Sequence, residues 1–265
     1  EWRYLLDHDS GASFEEIDAF LRGNPGWPLR GTLIARAEEA MTPQMSPSAV
    51  LAWFGTRNPT TAMGHIRLGE ALAVTGQTAR AGEMIRQGWI EGSFDAATEL
   101  AIVQRDGSFL TPDVDRRRLD NLLWRGLLGD ARREIARVDD QTQRVAAARI
   151  ALQSNNARAR QAVMPVAGSD DPGLLFDRAH AARIANDDAT AEALLMRVRP
   201  AGPARDHTGR WWNEVNVVAR DALAAGRAST AYALLERDGL TDGDAFADSE
   251  FLAGFIALRF LKDTH

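Results

Sequence analysis

The sequence predicts an all-α protein, an irregular α-α superhelix made of tetratricopeptide-like helical hairpins. Apolar residues recur at helical spacing almost throughout. The β-branched alternation that marks strands hardly extends beyond four positions. Turn-forming residues cut the chain into a dozen to fifteen short helices, joined by the brief connections typical of packed helices.

Taken in order, Ser13 and Glu16 have the spacing of a capping box and open a helix that Asn24-Pro25-Gly26 closes. Thr42-Pro43, Ser46-Pro47, Asn58-Pro59 and Thr111-Pro112 each place a capping side chain before a proline suited to the first helical position. Met63, Ile66, Leu68, Ala71 and Leu72 form one stripe over Thr61–Thr75, and Leu119, Leu122, Leu123, Leu127 and Leu128 form another over Val114–Leu128. Further breaks fall at Gly107, at Asp170 to Gly173, at Pro200 to Pro203 and at Thr241 to Asp244. The last helix is expected over Asp244–Lys262. Phe246, Phe251, Phe255, Leu258 and Leu261 would face the core there, and Ala253, Gly254 and Ala257 would form a strip of close approach.

A weak repeat runs through these helices. A helix ends in a small residue, and an alanine opens the buried seam of the next: Gly76 with Ala81, Gly129 with Ala131, Asn186 with Ala191, and Gly226 with Ala231. The spacings are too uneven for a regular tetratricopeptide array and fit an irregular stack of hairpins, read as a single domain over 1–265.

Composition narrows the function. The 265 residues are 45% hydrophobic and 26% charged, which is typical of a folded domain. A net charge of −6 argues against nucleic acid as the main partner. Of the 31 basic residues only Lys262 is lysine, a pattern expected from GC-rich coding, so single arginines carry little weight by themselves. The absence of cysteine excludes disulfides and thiolate chemistry and suits an oxidising compartment. No apolar run is long enough for a membrane span. The start at Glu1, without an initiator methionine or a leader, is expected to be processed or trimmed.

No catalytic, metal or cofactor constellation emerges. His8, His65, His180, His207 and His265 are scattered and lack metal-site spacing. Asp238 to Glu250 resembles a calcium loop, but Leu240 and Ser249 occupy two ligand positions, so a solvated turn is expected. The pairs Glu15-Glu16, Glu38-Glu39, Asp139-Asp140 and Asp187-Asp188 diverge by about 100° on a helix and read as solubilising or dipole-compensating charges. Among the seven tryptophans, Trp211 falls in register with Val215, Val218 and Ala222 and reads as core. Trp212 is offset, and an indole face can stack on a sugar ring.

The C-terminal stretch carries a resemblance. Trp211-Trp212-Asn213-Glu214 is followed by Ala219 to Leu223, Gly226, Ala231-Tyr232, Gly239-Leu240, Phe246-Ala247, and Glu250 to Leu261. Together with Phe20 to Pro28, Ile85 to Trp89 and Leu122 to Trp124, it resembles the superhelical, U-shaped domain of soluble lytic murein transglycosylases, with Phe251 and Phe255 where the family has tryptophans. The resemblance implies a periplasmic enzyme that cleaves peptidoglycan glycan strands to 1,6-anhydromuramoyl products. In such an enzyme this domain would help to hold the strand and the enzyme's own catalytic domain. The glutamate-serine and glycine-x-methionine-glutamine segments of that catalytic domain do not occur in this chain, so no catalytic residue carries over. Arg210 and Trp212 are the candidate glycan contacts. The competing reading is a stand-alone helical-repeat scaffold that binds a protein partner.

Overall fold

The computed structural model describes residues 2–155, 158–198 and 208–262. Glu1, the Pro200 to Pro203 break, His207 and His265 lie outside the described residues. Among the described residues there are sixteen α-helices and no strand, which gives the all-α class and one helix more than the expected range. Where the sequence reads as one domain over 1–265, the packing divides into two compact units, Glu1–Arg118 and Leu119–His265.

The first unit holds the helices Trp2–Leu6, Phe14–Gly23, Arg30–Ala40, Pro47–Phe54, Ala62–Val74, Thr78–Glu91 and Ala96–Asp106. Ile17, Leu21, Leu33, Ala37, Val50, Phe54, Leu68 and Leu72 form one core cluster, and Ile66, Ile85, Trp89, Ile102 and Val114 form a second. The capping box is present: Ser13 Oγ accepts from Glu16 N at 3.2 Å, and Glu16 Oε2 accepts from Ser13 N at 2.8 Å. Ser46 caps its helix ahead of Pro47 as expected. Two expected starts do not occur. Pro43 lies in a turn, and Asn58-Pro59 precedes a helix whose cap is Thr61, with Thr61 Oγ1 accepting from Gly64 N at 2.9 Å. Buried Glu38 fixes that start, because its Oε2 accepts from the backbone N–H of Thr60 at 2.8 Å and of Thr61 at 2.7 Å, and from both threonine hydroxyls. Glu38 is therefore an internal anchor and not the solubilising charge the sequence suggests.

The second unit holds Leu128–Glu134, Asp140–Gln153, Ala159–Val163, Pro172–Ile184, Asp188–Arg197, Thr208–Ala224, Ala228–Leu235 and Gly243–Ile256. Trp211, buried as expected, joins Phe176, Leu195, Val215, Val218, Ala222, Ala231, Leu234 and Ile256 in one large cluster. Its Nε1–H donates to Asp238 O at 2.9 Å. The Asp238 carboxylate accepts from Leu240 N at 2.9 Å and from the Ser249 hydroxyl, and the Asp238 and Ser249 side chains are both buried, so this end of the turn belongs to the core and is not the solvated turn the sequence suggests.

The repeat has a physical basis. At Gly76, Gly126, Asn186 and Gly226 the backbone enters the left-handed region, with φ of 82°, 72°, 59° and 79°. After each, an N–H reaches back over the helix end: Gln77 N to Leu72 O at 2.9 Å, Leu127 N to Leu122 O at 2.9 Å, Asp187 N to Ala182 O at 2.9 Å, and Arg227 N to Ala222 O at 2.8 Å. Five residues after each left-handed residue stands a fully buried alanine, Ala81, Ala131, Ala191 or Ala231. The second copy is thus centred on Gly126 and not on Gly129, because only Gly126 takes the positive φ that ends the helix.

The C-terminal helix departs from expectation. Ser249, Leu252 and Ile256 are its buried face, whereas Phe251 and Phe255 are 78% and 42% exposed and Leu258 is also exposed. Both stripes have helical spacing, so periodicity alone does not choose between them. Leu252 and Ile256 pack into the second unit's core, and of the residues expected there Leu261 and Ala253 lie partly buried against it.

Candidate functional site

A cleft of about 520 Å³ opens in the second unit between the ends of four helices. Trp124, Arg125, Gln153, Asp177, His180 and Arg210 contribute to its wall. Trp124 comes from the helix Pro112–Trp124, Gln153 from Asp140–Gln153, Asp177 and His180 from Pro172–Ile184, and Arg210 from Thr208–Ala224.

The wall rests on a buried ionic network. Arg149, wholly buried, donates from Nε to Asp177 Oδ2 at 2.9 Å and from Nη1 to Asp120 Oδ1 at 2.6 Å. A guanidinium at this depth is tolerable only when opposed by carboxylates. Gly173 makes the room, since a Cβ there would lie 2.2 Å from the Arg149 guanidinium. Burial pushes the Asp120 carboxyl above its ordinary value, against the opposing pull of Arg149. Gln153 Nε2 donates to Asp177 Oδ2 at 2.8 Å and to Leu123 O at 3.0 Å.

Arg210 Nη1 donates to Trp124 O at 2.6 Å and to Leu123 O at 3.2 Å, carbonyls at a helix C-terminus that lack intrahelical partners. Its Nη2 lies 3.4 Å from Asp177 Oδ1. Burial lowers its pKa, and the Asp177 charge opposes that shift. Arg210 is therefore at a cleft, as a ligand contact would be, but much of its fork is spent on holding two helices together.

Trp212 is not in this cleft. It is 5% exposed and sits in the core cluster, so neither indole face is open to a sugar, and its role as a glycan contact is withdrawn. Trp211 and Trp212 point about 100° apart on the helix, but Trp212, Val215 and Ala219 are buried in the same cluster as Trp211, Val218 and Ala222, so an offset from the main stripe does not mean exposure.

Beside the cleft, Glu214 accepts from Arg183 Nε at 2.6 Å and Nη2 at 3.0 Å, and pairs with His180 Nδ1 at 2.7 Å. Burial opposes ionisation of Glu214, but the hydrogen bonds and charges of His180 and Arg183 outweigh it and hold its carboxyl below the ordinary value. Among the described histidines, His65 sets Nδ1 2.9 Å from Thr61 O, and His8 lies against Arg36 and Glu39. Among the described residues, no group of three or more histidines and carboxylates could hold a metal ion, and no helix is long and apolar enough to cross a membrane.

Sequence reasoning missed Arg149, Asp177, Gln153 and His180, and gave Glu214 no role of its own. Arg149 and Asp177 stand 28 positions apart, on helices of no unusual composition, so no local pattern joins them. The nearest signal is Gly173, which reads in the sequence as part of the break Asp170 to Gly173 but stands inside the first turn of the helix Pro172–Ile184. No family model, curated protein or solved structure matches this chain.

Proposed function

We propose that this chain is a non-catalytic helical-hairpin scaffold that holds peptidoglycan glycan strands, as the superhelical part of a periplasmic lytic transglycosylase whose catalytic domain lies outside the chain. The observation that carries the reading is the cleft at Arg210. It is an open, polar-rimmed site built on rigid helices, with Arg125, Gln153 and His180 beside it and a buried network behind. Both carboxylate oxygens of Asp177 and of Glu214 are engaged by donors, so the acids nearest the cleft serve its architecture. Hydroxyl- and amide-rich strands suit such a rim, and weak contacts repeated along a polymer add up through effective concentration. The residue resemblance supplies the choice of polymer.

Co-sedimentation with purified murein sacculi tests this reading. The chain is expected to pellet with sacculi, to release no anhydromuropeptides detectable by mass spectrometry, and to lose part of its binding on Arg210→Gln. Failure to pellet would overturn it. A second reading, a scaffold that docks a protein, is favoured by the exposed ridge of Phe251, Phe255, Leu258 and Phe260, and retention of a single partner in place of sacculi would select it.

A further inference from the structure

A groove of about 600 Å³ in the first unit has chemistry the cleft at Arg210 lacks. Its floor is aromatic and aliphatic, with Phe14, Leu21, Ile34 and Trp53, and its rim carries Arg22, Arg30 and Arg57 against a single carboxylate, Asp18. Trp53 is fixed in place by its neighbours. Phe14 and Phe54 meet its ring edge to face at centroid distances of 5.6 and 4.9 Å, and its Nε1–H donates to Asp18 Oδ1 at 3.0 Å. The Arg57 guanidinium lies 4.3 Å over the ring.

The charges in this groove do not balance. Arg22 takes the second oxygen of Asp18 at 2.6 Å, which leaves that acid fully used. Arg30 donates to Leu21 O at 2.8 Å and Arg57 to Trp53 O, so each is tied to a neutral carbonyl. Among the described residues neither Arg30 nor Arg57 has a carboxylate within salt-bridge distance, on a chain whose net charge is −6. Two cations without counter-charges thus border a flat indole.

We infer that this groove binds a carboxylate-bearing saccharide, the sugar face stacked against Trp53 and the carboxylate taken by Arg57 and Arg30. A guanidinium fork matches a carboxylate bidentately, and the exposed Arg57 can exchange the ring face for a ligand oxygen with little desolvation cost. Each half of the site alone is ordinary. Their juxtaposition selects a ligand with both an apolar face and a negative charge, and so disfavours neutral sugars. The inference rests on the glycan-strand reading for the natural polymer, which would be a strand whose muramic acids carry no stem peptide and so keep a free carboxylate, but not for the chemistry of the site.

Three probes separate the two levels: the N-acetylglucosaminyl-N-acetylmuramic acid disaccharide, trigalacturonate and neutral chitotriose, each titrated calorimetrically into the full chain. The muramic disaccharide is expected to bind at least about tenfold more tightly than chitotriose, a preference that salt weakens. Arg30→Gln with Arg57→Gln should remove that preference, Arg57→Lys should restore part of it, and Arg80→Gln, at an exposed position outside both the groove and the cleft, should leave it unchanged. Circular dichroism melts check that each variant is folded. Binding of trigalacturonate but not of the muramic disaccharide, with the same arginine dependence, would sustain the anionic-sugar site and reject peptidoglycan as its source. Equal binding of all three, no binding of either acid, or indifference to the paired substitution in folded protein would overturn the inference.

Discussion

In the hairpin of Ala62–Val74 and Thr78–Glu91, glycine lines the seam. A Cβ on Gly88 would lie 2.6 Å from the Ala62 carbonyl oxygen, and one on Gly69 would lie 2.6 Å from Ile85 Cγ1 and 3.0 Å from Ala81 O. In the hairpin of Thr208–Ala224 and Ala228–Leu235, the corresponding surfaces are Trp211, Val215, Val218 and Ala222 with Ala231, Leu234 and Leu235, and its Gly226 lies in the turn alone. The two turns are otherwise the same, each with a left-handed glycine and the same reach-back hydrogen bond. The turn fixes that two helices fold back on each other, and the side chains along the seam fix how near they come. The first hairpin adds close backbone approach to the area buried by Ile66, Leu72, Ile85 and Trp89, whereas the second relies on area buried by large side chains.

Gly88→Ala should break the first arrangement. Alanine gains up to about 1 kcal/mol of helix propensity over glycine, but its methyl meets a backbone carbonyl that no rotamer change can move, and overpacking of this kind typically costs about 1–3 kcal/mol. The clash should win and lower the melting temperature by several degrees, while Gly209→Ala, with nothing within 4 Å of the new methyl, should not. Equal melts would mean that the helices are not held as close as described.

The second unit should show an acid-dependent loss that runs through Glu214. Its folded-state pKa lies below the ordinary 4.5, so the unfolded chain binds the proton more readily and the stabilisation is present above that value. It is lost as pH falls below about 4.5 and through the folded-state pKa. Urea titrations over this range should show a smaller pH dependence in Glu214→Gln than in the wild type, and identical slopes would remove Glu214 as the source. The first unit holds the opposite case. Burial, chiefly, and the Glu70 charge raise Asp106 to about 6, so Asp106 favours the folded state more as pH drops from about 6 toward 3.8.

The smallest effect is expected at Phe255. A buried phenylalanine replaced by alanine costs about 3–5 kcal/mol, but Phe255 is 42% exposed and outside the core, and substitutions at exposed positions usually change stability by no more than about 0.5 kcal/mol. Phe255→Ala should melt close to the wild type, whereas Ile256→Ala, at a wholly buried site, should not. A large loss at Phe255 would put the helix Gly243–Ile256 on its other face.

What was legible in the sequence follows from how local each signal is. Ser13 with Glu16, Ser46 with Pro47, and Gly226 with Ala231 act within one turn or one connection, and they read correctly. Trp211 was legible because its stripe is wide and apolar. Thr61 displaced Asn58-Pro59 as a helix start because Glu38, more than twenty positions earlier, captures the threonines. Trp212 and Phe251 failed for one reason: helical phase tells which residues share a face, but not how many faces the neighbours cover. The candidate site was nearly invisible, since Arg149, Asp177 and Arg210 meet only through the packing of separate helices.

The four left-handed turns at Gly76, Gly126, Asn186 and Gly226 stand 50, 60 and 40 residues apart. Each stop signal is complete within the few residues around it, so the segments between hairpins can lengthen or shorten without disturbing the register inside any one of them. Such a chain is suited to change by insertion and deletion in its connectors while every hairpin keeps its own core.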